Sequence, residues 1–206
     1  IILQNMNYTE IEHFIADGMS QSRFSHTLGT AQAAVKLAVN FGISSDEAKT
    51  GALWHDAARE WSIYELLRTA EAIRSKILPL ELRQPVLLHS IVSAELFLQH
   101  ESTKLLQKDQ VERIWKAVRW HTLGHPDMGS LGYVIFIADY CEPGRTHITE
   151  DQRMRLMQLS SLEGMMHYIL EKQELYFQKK GITDISPSTR ALSNHVAKDK
   201  NIRQGS

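Results

Sequence analysis

A chain of 206 residues bounds the problem to one compact domain, or one domain with a small annex, and is long enough to bury its own core without staples. Apolar residues make up 43% and charged residues 23%, ordinary for a globular protein, and a formal net charge of −1 offers nucleic acid no basic field. The single cysteine, Cys141, excludes an internal disulfide framework and suits a reducing cytoplasm, and no uncharged apolar run reaches the roughly 18 residues of a membrane span.

The start, "IILQNMNYTE", has neither the basic flank nor the apolar core of a signal peptide. It also lacks an initiating Met, as a processed or cloned fragment would. From there the chain reads as one helix after another, an all-α fold. "SRFSHTLGTAQAAVKLAVNFG" is Ala-rich with apolar residues at helical spacing, and Gly42 is its expected stop. "SSDEAKTGALWHDAARE" opens with Ser44 and Glu47 at capping-box spacing, and "SIYELLRTAEAIRSK" repeats the device with Ser62 and Glu65. Pro79 and Pro85 bracket a short connection. "VLLHSIVSAELFLQH" is a long apolar helix, and "DQVERIWKAVRWHT" is another that ends before Gly124 and Pro126. The β-branched run in "LGYVIFIADYCE" suits a strand, but no partner strand appears elsewhere, which makes it a buried helix. "TEDQRMRLMQLSSLEGMMHYILEKQELYFQKKG" supplies one or two helices with a break expected at Gly164. The stretch "ITDISPSTRALSNHVAKDKNIRQGS" is polar, holds Pro187 and is expected to fray at its end.

Ten histidines is the feature out of line, because several fall inside apolar helical segments. His26 shares a helix face with Arg23 and Thr30. His55 and Asp56 stand together late in the second helix, in "LWHDAARE". His89 lies within the fourth, among Leu87, Leu88, Ile91 and Val92. His121 is in the last turn of the fifth, on the face of Ile114 and Val118, and Asp139 shares a face with Ile135. A single histidine on an apolar face is ordinarily a hydrogen-bonded core residue. A His-Asp dipeptide alone is also weak, since chance yields roughly 0.4 such pairs in a chain of this composition. Trp54, Trp115 and Trp120 are read as core or rim packing. A buried carboxylate, however, needs a cation or a cap. Four histidines and two aspartates from five helices are explained together by one metal centre, for which iron, manganese, zinc and nickel are all suitable.

The order "RFSHTLG", "LWHDAARE", "LLHSIVSAE", "WHTLGHPDMG", "FIADYCEPGR" resembles the HD-domain metal phosphohydrolases, and within them the YqeK branch of symmetrical diadenosine tetraphosphate hydrolases. The resemblance covers about residues 20–145 and extends weakly to "ISPSTR". It implies a single HD domain over residues 1–206, a helical bundle with its core at about 20–145 and C-terminal helices and tail at 146–206. By the same resemblance His26, His55, Asp56 and Asp139 hold the primary metal, and Asp56 is the bridging, catalytic carboxylate. His89 and His121 hold a second metal or contact substrate phosphate. Arg59 stands where the family usually has Lys, and Arg grips phosphate in a fork, which keeps binding but questions a proton-donor role. Arg23 and Arg145 are further phosphate-binding candidates, with surface ion pairs as the plainer alternative. His125 and Asp127 either reach the site or decorate a loop, and the loop reading is preferred. The "GITDISPST" segment is expected to close over the nucleotide.

The implied cofactor is one or two transition-metal ions, iron ahead of manganese, zinc or nickel. Such a metal brings a bound water to neutral-range acidity for attack on a phosphate chain. The implied reaction is metal-dependent symmetrical cleavage of diadenosine tetraphosphate to two ADP, in the cytoplasm, without nucleic acid or membrane, and with a homodimer left open. Two alternatives stay beside it. One is an HD phosphohydrolase acting on a nucleoside monophosphate, deoxynucleotide or cyclic dinucleotide. The other is a nucleotide-binding regulator without turnover.

Overall fold

The computed structural model describes residues 6–73 and 77–204, with side chains as far as Lys198. Every regular element among the described residues is helical. In chain order the helices are α1 (Tyr8–Ala16), α2 (Gln21–Asn40), α3 (Ser45–Trp54), α4 (Ile63–Ala72), α5 (Pro79–Arg83) and α6 (His89–Gln99). They continue with α7 (Lys108–Trp120), α8 (Gly129–Cys141), α9 (Glu150–Met157), α10 (Leu162–Lys180) and α11 (Pro187–Gln204). Short 3₁₀ turns occupy Pro85–Leu88, Glu101–Leu105 and Pro126–Met128.

Local chemistry sets most of these boundaries. Ser20, Ser44, Ser62, Thr149 and Ser161 cap α2, α3, α4, α9 and α10, each accepting from a backbone N–H in the first turn. The capping box of Ser62 and Glu65 is complete. That of Ser44 is half made, because Glu47 turns its carboxylate to Arg113 at 2.7 and 2.8 Å. Gly42 takes a positive φ of 67° beyond α2, as its place in the sequence suggests.

Several boundaries differ from the sequence reading. α3 ends at Trp54, so His55 and Asp56 fall in a tight turn after the helix rather than inside it. α6 begins at His89, because the residues after Pro85 tighten into a 3₁₀ turn. Pro79 opens a short helix of its own, Pro being well suited to a first helical position. The break before α10 comes at Gln158–Ser161, and Gly164 lies in the first turn of α10, where its N–H is capped by Ser161. Pro187 likewise opens a helix, and α11 buries Leu192 and Val196 completely; the chain end, where the sequence predicts fraying, lies outside the described residues. α1 lies outside the periodic segments; it packs through Ile11 and Ile15, one turn apart.

α8 is the axis of the molecule. It packs against α2, α3, α7 and α10, which buries it on all sides from Leu131 to Ala138 and explains its continuous apolar run. Gly51 lets α3 approach closely, since a Cβ there would collide with Cδ1 of Ile135 on α8. α3 thereby delivers its C-terminal turn, His55 and Asp56, to the middle of the molecule. A smaller apolar cluster of Leu66, Ala70, Leu88, Ile91 and Val92 joins α4 to α6. No described helix is long and apolar enough to cross a membrane.

Ile135 is fully buried between α3 and α8. Ile135→Ala removes its packing and leaves a cavity costing about 2–5 kcal/mol. For a chain of this size that lowers the melting temperature by roughly 4–20 °C, which calorimetry measures directly. An unchanged melting temperature would mean that α8 is not the packing axis.

Candidate metal centre

The six residues singled out in the sequence converge. His26 comes from α2, His55 and Asp56 from the turn after α3, His89 from the first position of α6, His121 from the C-cap of α7 and Asp139 from α8. Asp56 is at the centre, 4% exposed. Its Oδ1 lies 3.4 Å from His89 Nε2 and 3.5 Å from His121 Nε2. Its Oδ2 lies 3.5 Å from His55 Nε2, 3.8 Å from His26 Nε2 and 2.8 Å from Arg23 Nη1. Asp139 Oδ1 lies 3.0 Å from His26 Nε2 and 3.7 Å from His55 Nε2, and Arg145 Nη2 donates to it. Two metal-capable sets result: His26, His55 and Asp56 on one side, and Asp56, His89 and His121 on the other.

The histidines are oriented by their own backbone. Nδ1 of His55 donates to the carbonyl of Ala52 at 2.6 Å, that of His89 to Val86 at 2.6 Å and that of His121 to Val118 at 2.7 Å. Each acceptor is three residues earlier, at a helix boundary where carbonyls are not all claimed by the helical ladder. A carbonyl oxygen only accepts, so the proton is on Nδ1 and Nε2 presents a lone pair. The Nε2 atoms of His89 and His121 are 3.2 Å apart, and Thr122 Oγ1 reaches both, at 3.1 and 2.9 Å, with one proton to give. His55 Nε2 is buried without any hydrogen-bond partner. Lone pairs thus face lone pairs and carboxylate oxygens, and only a cation satisfies that arrangement. The donor set of imidazole nitrogens with carboxylate oxygens fits a divalent transition metal, and backbone-oriented imidazoles are the usual support of such sites.

Titration follows the same geometry. Burial, and then the neighbouring His121, push His89 down to about 3. Burial lowers His55 as well. Burial works against the Asp56 carboxylate, and positive charge carried by His55, His121 and His89 would outweigh it and hold the group well below the usual carboxylate range. His26 is raised, because its contacts with Asp139 and Glu142 overcome burial.

Some functional neighbours escaped the sequence reading. Glu142 is buried, lies 3.1 Å from His26 Nδ1 and accepts from Gly144 N–H at 2.6 Å. Its signal is in the sequence, since it opens the "EPGR" tetrapeptide that ends in Arg145. Glu60, which closes "LWHDAARE", accepts from Ser20 N–H and Oγ at 2.6 and 2.9 Å, tying the start of α2 to the turn that carries His55 and Asp56. Ser93 of α6 holds the same turn through Ala58 N–H at 3.0 Å.

The centre opens into a cavity of about 670 Å³. Arg23, Arg59, Arg145 and Lys172 line it with Asp56 and Asp139, and its apolar wall includes Phe136, Tyr140, His147, Tyr176 and Phe177. Arg59 has no ion pair among the described residues. A second, more open cleft lies on the α2 side and shares Arg23 and Arg145 with the first. His125 stacks on Trp120 at 4.5 Å and accepts from Asp127 N–H, outside the cavity lining. The "GITDISPST" segment borders a neighbouring cavity of about 440 Å³ between α10 and α11, where Thr189 donates to the Leu123 carbonyl at 2.5 Å.

Scaffold and centre together define a helical protein built around a buried His/Asp cation site. The HD domain family matches residues 23–144, the stretch that holds all six clustered residues. The chain is similar to the protein named bis(5'-nucleosyl)-tetraphosphatase, symmetrical, of Bacillus subtilis, at 30% identity over 187 residues, covering 86% of this chain and 96% of that one. The protein of the same name from Halalkalibacterium halodurans is 28% identical over 193 residues, covering 93% and 97%. In fold it matches a crystal structure from Clostridium acetobutylicum, described as a predicted HD superfamily hydrolase involved in NAD metabolism. The TM-score is 0.81 at 22% identity, over 94% of this chain and 98% of the other. The chain belongs to the HD-domain family.

Two predictions follow from this geometry. In metal-free protein, His89 titrates near 3 when folded and near 6.5 when unfolded, so between those values the unfolded chain binds the extra proton. Its contribution is complete above pH 6.5 and is lost as pH falls. His55 acts with the same sign and His26 with the opposite one, but the shift of His89 is large. Calorimetry on the metal-free protein should show the melting temperature falling from pH 7 to pH 4, with a shallower fall for His89→Asn. A flat profile would refute the buried neutral imidazole. For the metal itself, Asp56→Ala should abolish cation binding measured by elemental analysis, whereas His125→Ala should leave metal content unchanged. Equal effects would dissolve the distinction between the cluster and the loop.

Proposed function

We propose that this protein is a metal-dependent hydrolase that cleaves diadenosine tetraphosphate symmetrically into two ADP. The observation that carries the reading is Asp56, a buried carboxylate shared between two imidazole sets at the floor of an arginine-lined cavity. The names of the relatives support the substrate and the symmetry of the cut. His26, His55, Asp56 and Asp139 would hold the primary metal, and Asp56, His89 and His121 a second. When bound, such a metal lowers the pKa of bound water to about 7 and neutralises charge on phosphoryl oxygens. Iron is our choice of metal, ahead of manganese, zinc or nickel.

The chain's own residues supply binding and orientation. Arg59, Arg23 and Arg145 place guanidinium forks beside the centre for a phosphate chain. Tyr140, Tyr176, Phe177 and His147 offer ring faces and edges to a base. Arg23 and Arg145 also line the α2-side cleft, leaving room on both sides of the centre for a substrate with two nucleoside ends. The leaving group is a nucleoside diphosphate, already an anion at neutral pH. Its departure needs positive charge rather than a proton, a role Arg59 fills as a permanent cation. α10 contributes to the cavity wall, which favours one functional unit over residues 1–206, and a lone cysteine is at home in the cytoplasm.

Chromatography of the products tests this. With added metal, diadenosine tetraphosphate should yield ADP as the sole nucleotide, and Arg59→Ala should lower kcat/KM by about 100-fold. Equal ATP and AMP would reject the symmetrical cut. No turnover of any dinucleoside polyphosphate with iron or manganese would reject the substrate class.

A further inference from the structure

An ion pair that the chemistry above does not use lies behind the His89 and His121 half of the centre. Arg119 is 1% exposed and Glu81 0%. Arg119 Nη1 donates to Glu81 Oε1 at 2.6 Å and Nη2 to Oε2 at 2.9 Å, a two-pronged contact with no water access. Such a pair is weak evidence for stability, because stripping water from both charges offsets most of their attraction. Its value must be sought in geometry.

The connections of the pair run to both histidines. Arg119 precedes His121 by two residues at the end of α7, with its guanidinium over the Trp120 ring at 4.3 Å. Arg119 Nη1 also lies 3.4 Å from Ser90 Oγ, the residue that follows His89 at the start of α6, and Ser90 Oγ donates to the Leu87 carbonyl at 3.1 Å. Glu81 anchors the group to α5 and additionally accepts from Leu78 N–H at 2.7 Å. One guanidinium therefore joins the end of α7 to the start of α6, and one carboxylate fastens both to α5. In metal-free protein the single Thr122 proton bridges the two imidazole nitrogens, which are 3.2 Å apart, and the fastening holds their helices together against the remaining repulsion.

We infer that Glu81 and Arg119 form a positioning pair for the His89 and His121 half of the centre. The pair fixes α6 against α7 so that both Nε2 atoms meet Asp56 Oδ1. The other half draws His26 and Asp139 from α2 and α8, outside this network, and meets α6 through the Ser93–Ala58 hydrogen bond at the turn that carries His55 and Asp56. Affinity at the two halves is therefore separable. The inference rests on the proposal that the centre holds two cations across Asp56.

The test uses a Glu81→Gln, Arg119→Met double variant, which removes both charges, keeps the volume and leaves no buried charge alone. Metal-free wild type and variant are titrated with Mn²⁺ by calorimetry, with electron paramagnetic resonance reporting coupled ion pairs and thermal melting reporting the fold. Wild type should bind two Mn²⁺ per chain. The variant should keep its melting temperature and its tighter site, lose the coupled signal, and weaken at the other site by about 10- to 100-fold. Arg119→Lys, which keeps the charge and loses the fork, should weaken the same site alone and covers failure of the double variant to fold. Two sites of wild-type affinity in a folded variant, or equal weakening of both, would overturn the positioning role. One Mn²⁺ per chain in wild type would overturn the two-cation reading on which it rests, a result distinguishable from either of those.

Discussion

The structure depends on one carboxylate surrounded by lone pairs. Asp56 is withdrawn from water and faces four imidazole Nε2 atoms at 3.4–3.8 Å. Three of those imidazoles have already given their Nδ1 proton to a backbone carbonyl and have none left for the carboxylate. Burying a negative charge beside unshared electron pairs is costly unless a cation joins them. The guanidinium of Arg23 supplies one such charge, on Oδ2 alone. The remaining geometry is that of a ligand cage, and the surrounding helices exist in the register that holds it.

The histidine placement shows how secondary structure serves the cage. His55, His89 and His121 all stand at helix boundaries, and each donates to the carbonyl three residues before it. Inside a helix that carbonyl accepts from a backbone N–H farther along the chain. At a terminus it is released from that bond, and a side chain can use it, in Val86 and Val118 alongside the same histidine's own N–H. The boundary thus does two things at once: it frees an acceptor that fixes the imidazole tautomer, and it turns the ring inward. Gly124, at a positive φ of 70° just beyond α7, ends the helix soon enough for His121 to benefit.

This also explains what was legible in the sequence. The helices were readable because Ser62 with Glu65, Gly42 and the apolar spacing of α2 and α7 are local signals. The clustered residues were readable because buried imidazoles and carboxylates conflict with apolar stripes, and that conflict is visible without coordinates. Their exact stations were not. Periodicity carries an apolar pattern past the end of a helix, so His55 and His89 looked internal when they are terminal. Residues such as Tyr176 and Phe177 of α10 could not be assigned to the cavity, since nothing local tells a helix which neighbour it meets. Ser186 and Leu192 were hidden for a related reason: a polar segment buries its few apolar and capping groups only once α10 is beside it.

Arginine rather than lysine beside the buried carboxylates follows from the donor count. Arg145 uses Nε on the Asp139 carbonyl at 2.8 Å and Nη2 on its carboxylate, and Nη1 has no protein partner among the described residues. Arg23 gives Nη1 to Asp56, while its buried Nε has no partner. Both side chains are tethered through part of the fork and retain donors for an anion. A lysine ammonium on a flexible stem would have to choose between carboxylate and phosphate, or swing between them. A planar guanidinium can hold the carboxylate along one edge and present another to a phosphate oxygen. On the proposed reading, the same pair of residues compensates the buried carboxylates and meets a polyphosphate without leaving its station. Such tethered forks would let a site this acidic at its floor receive a strongly negative substrate.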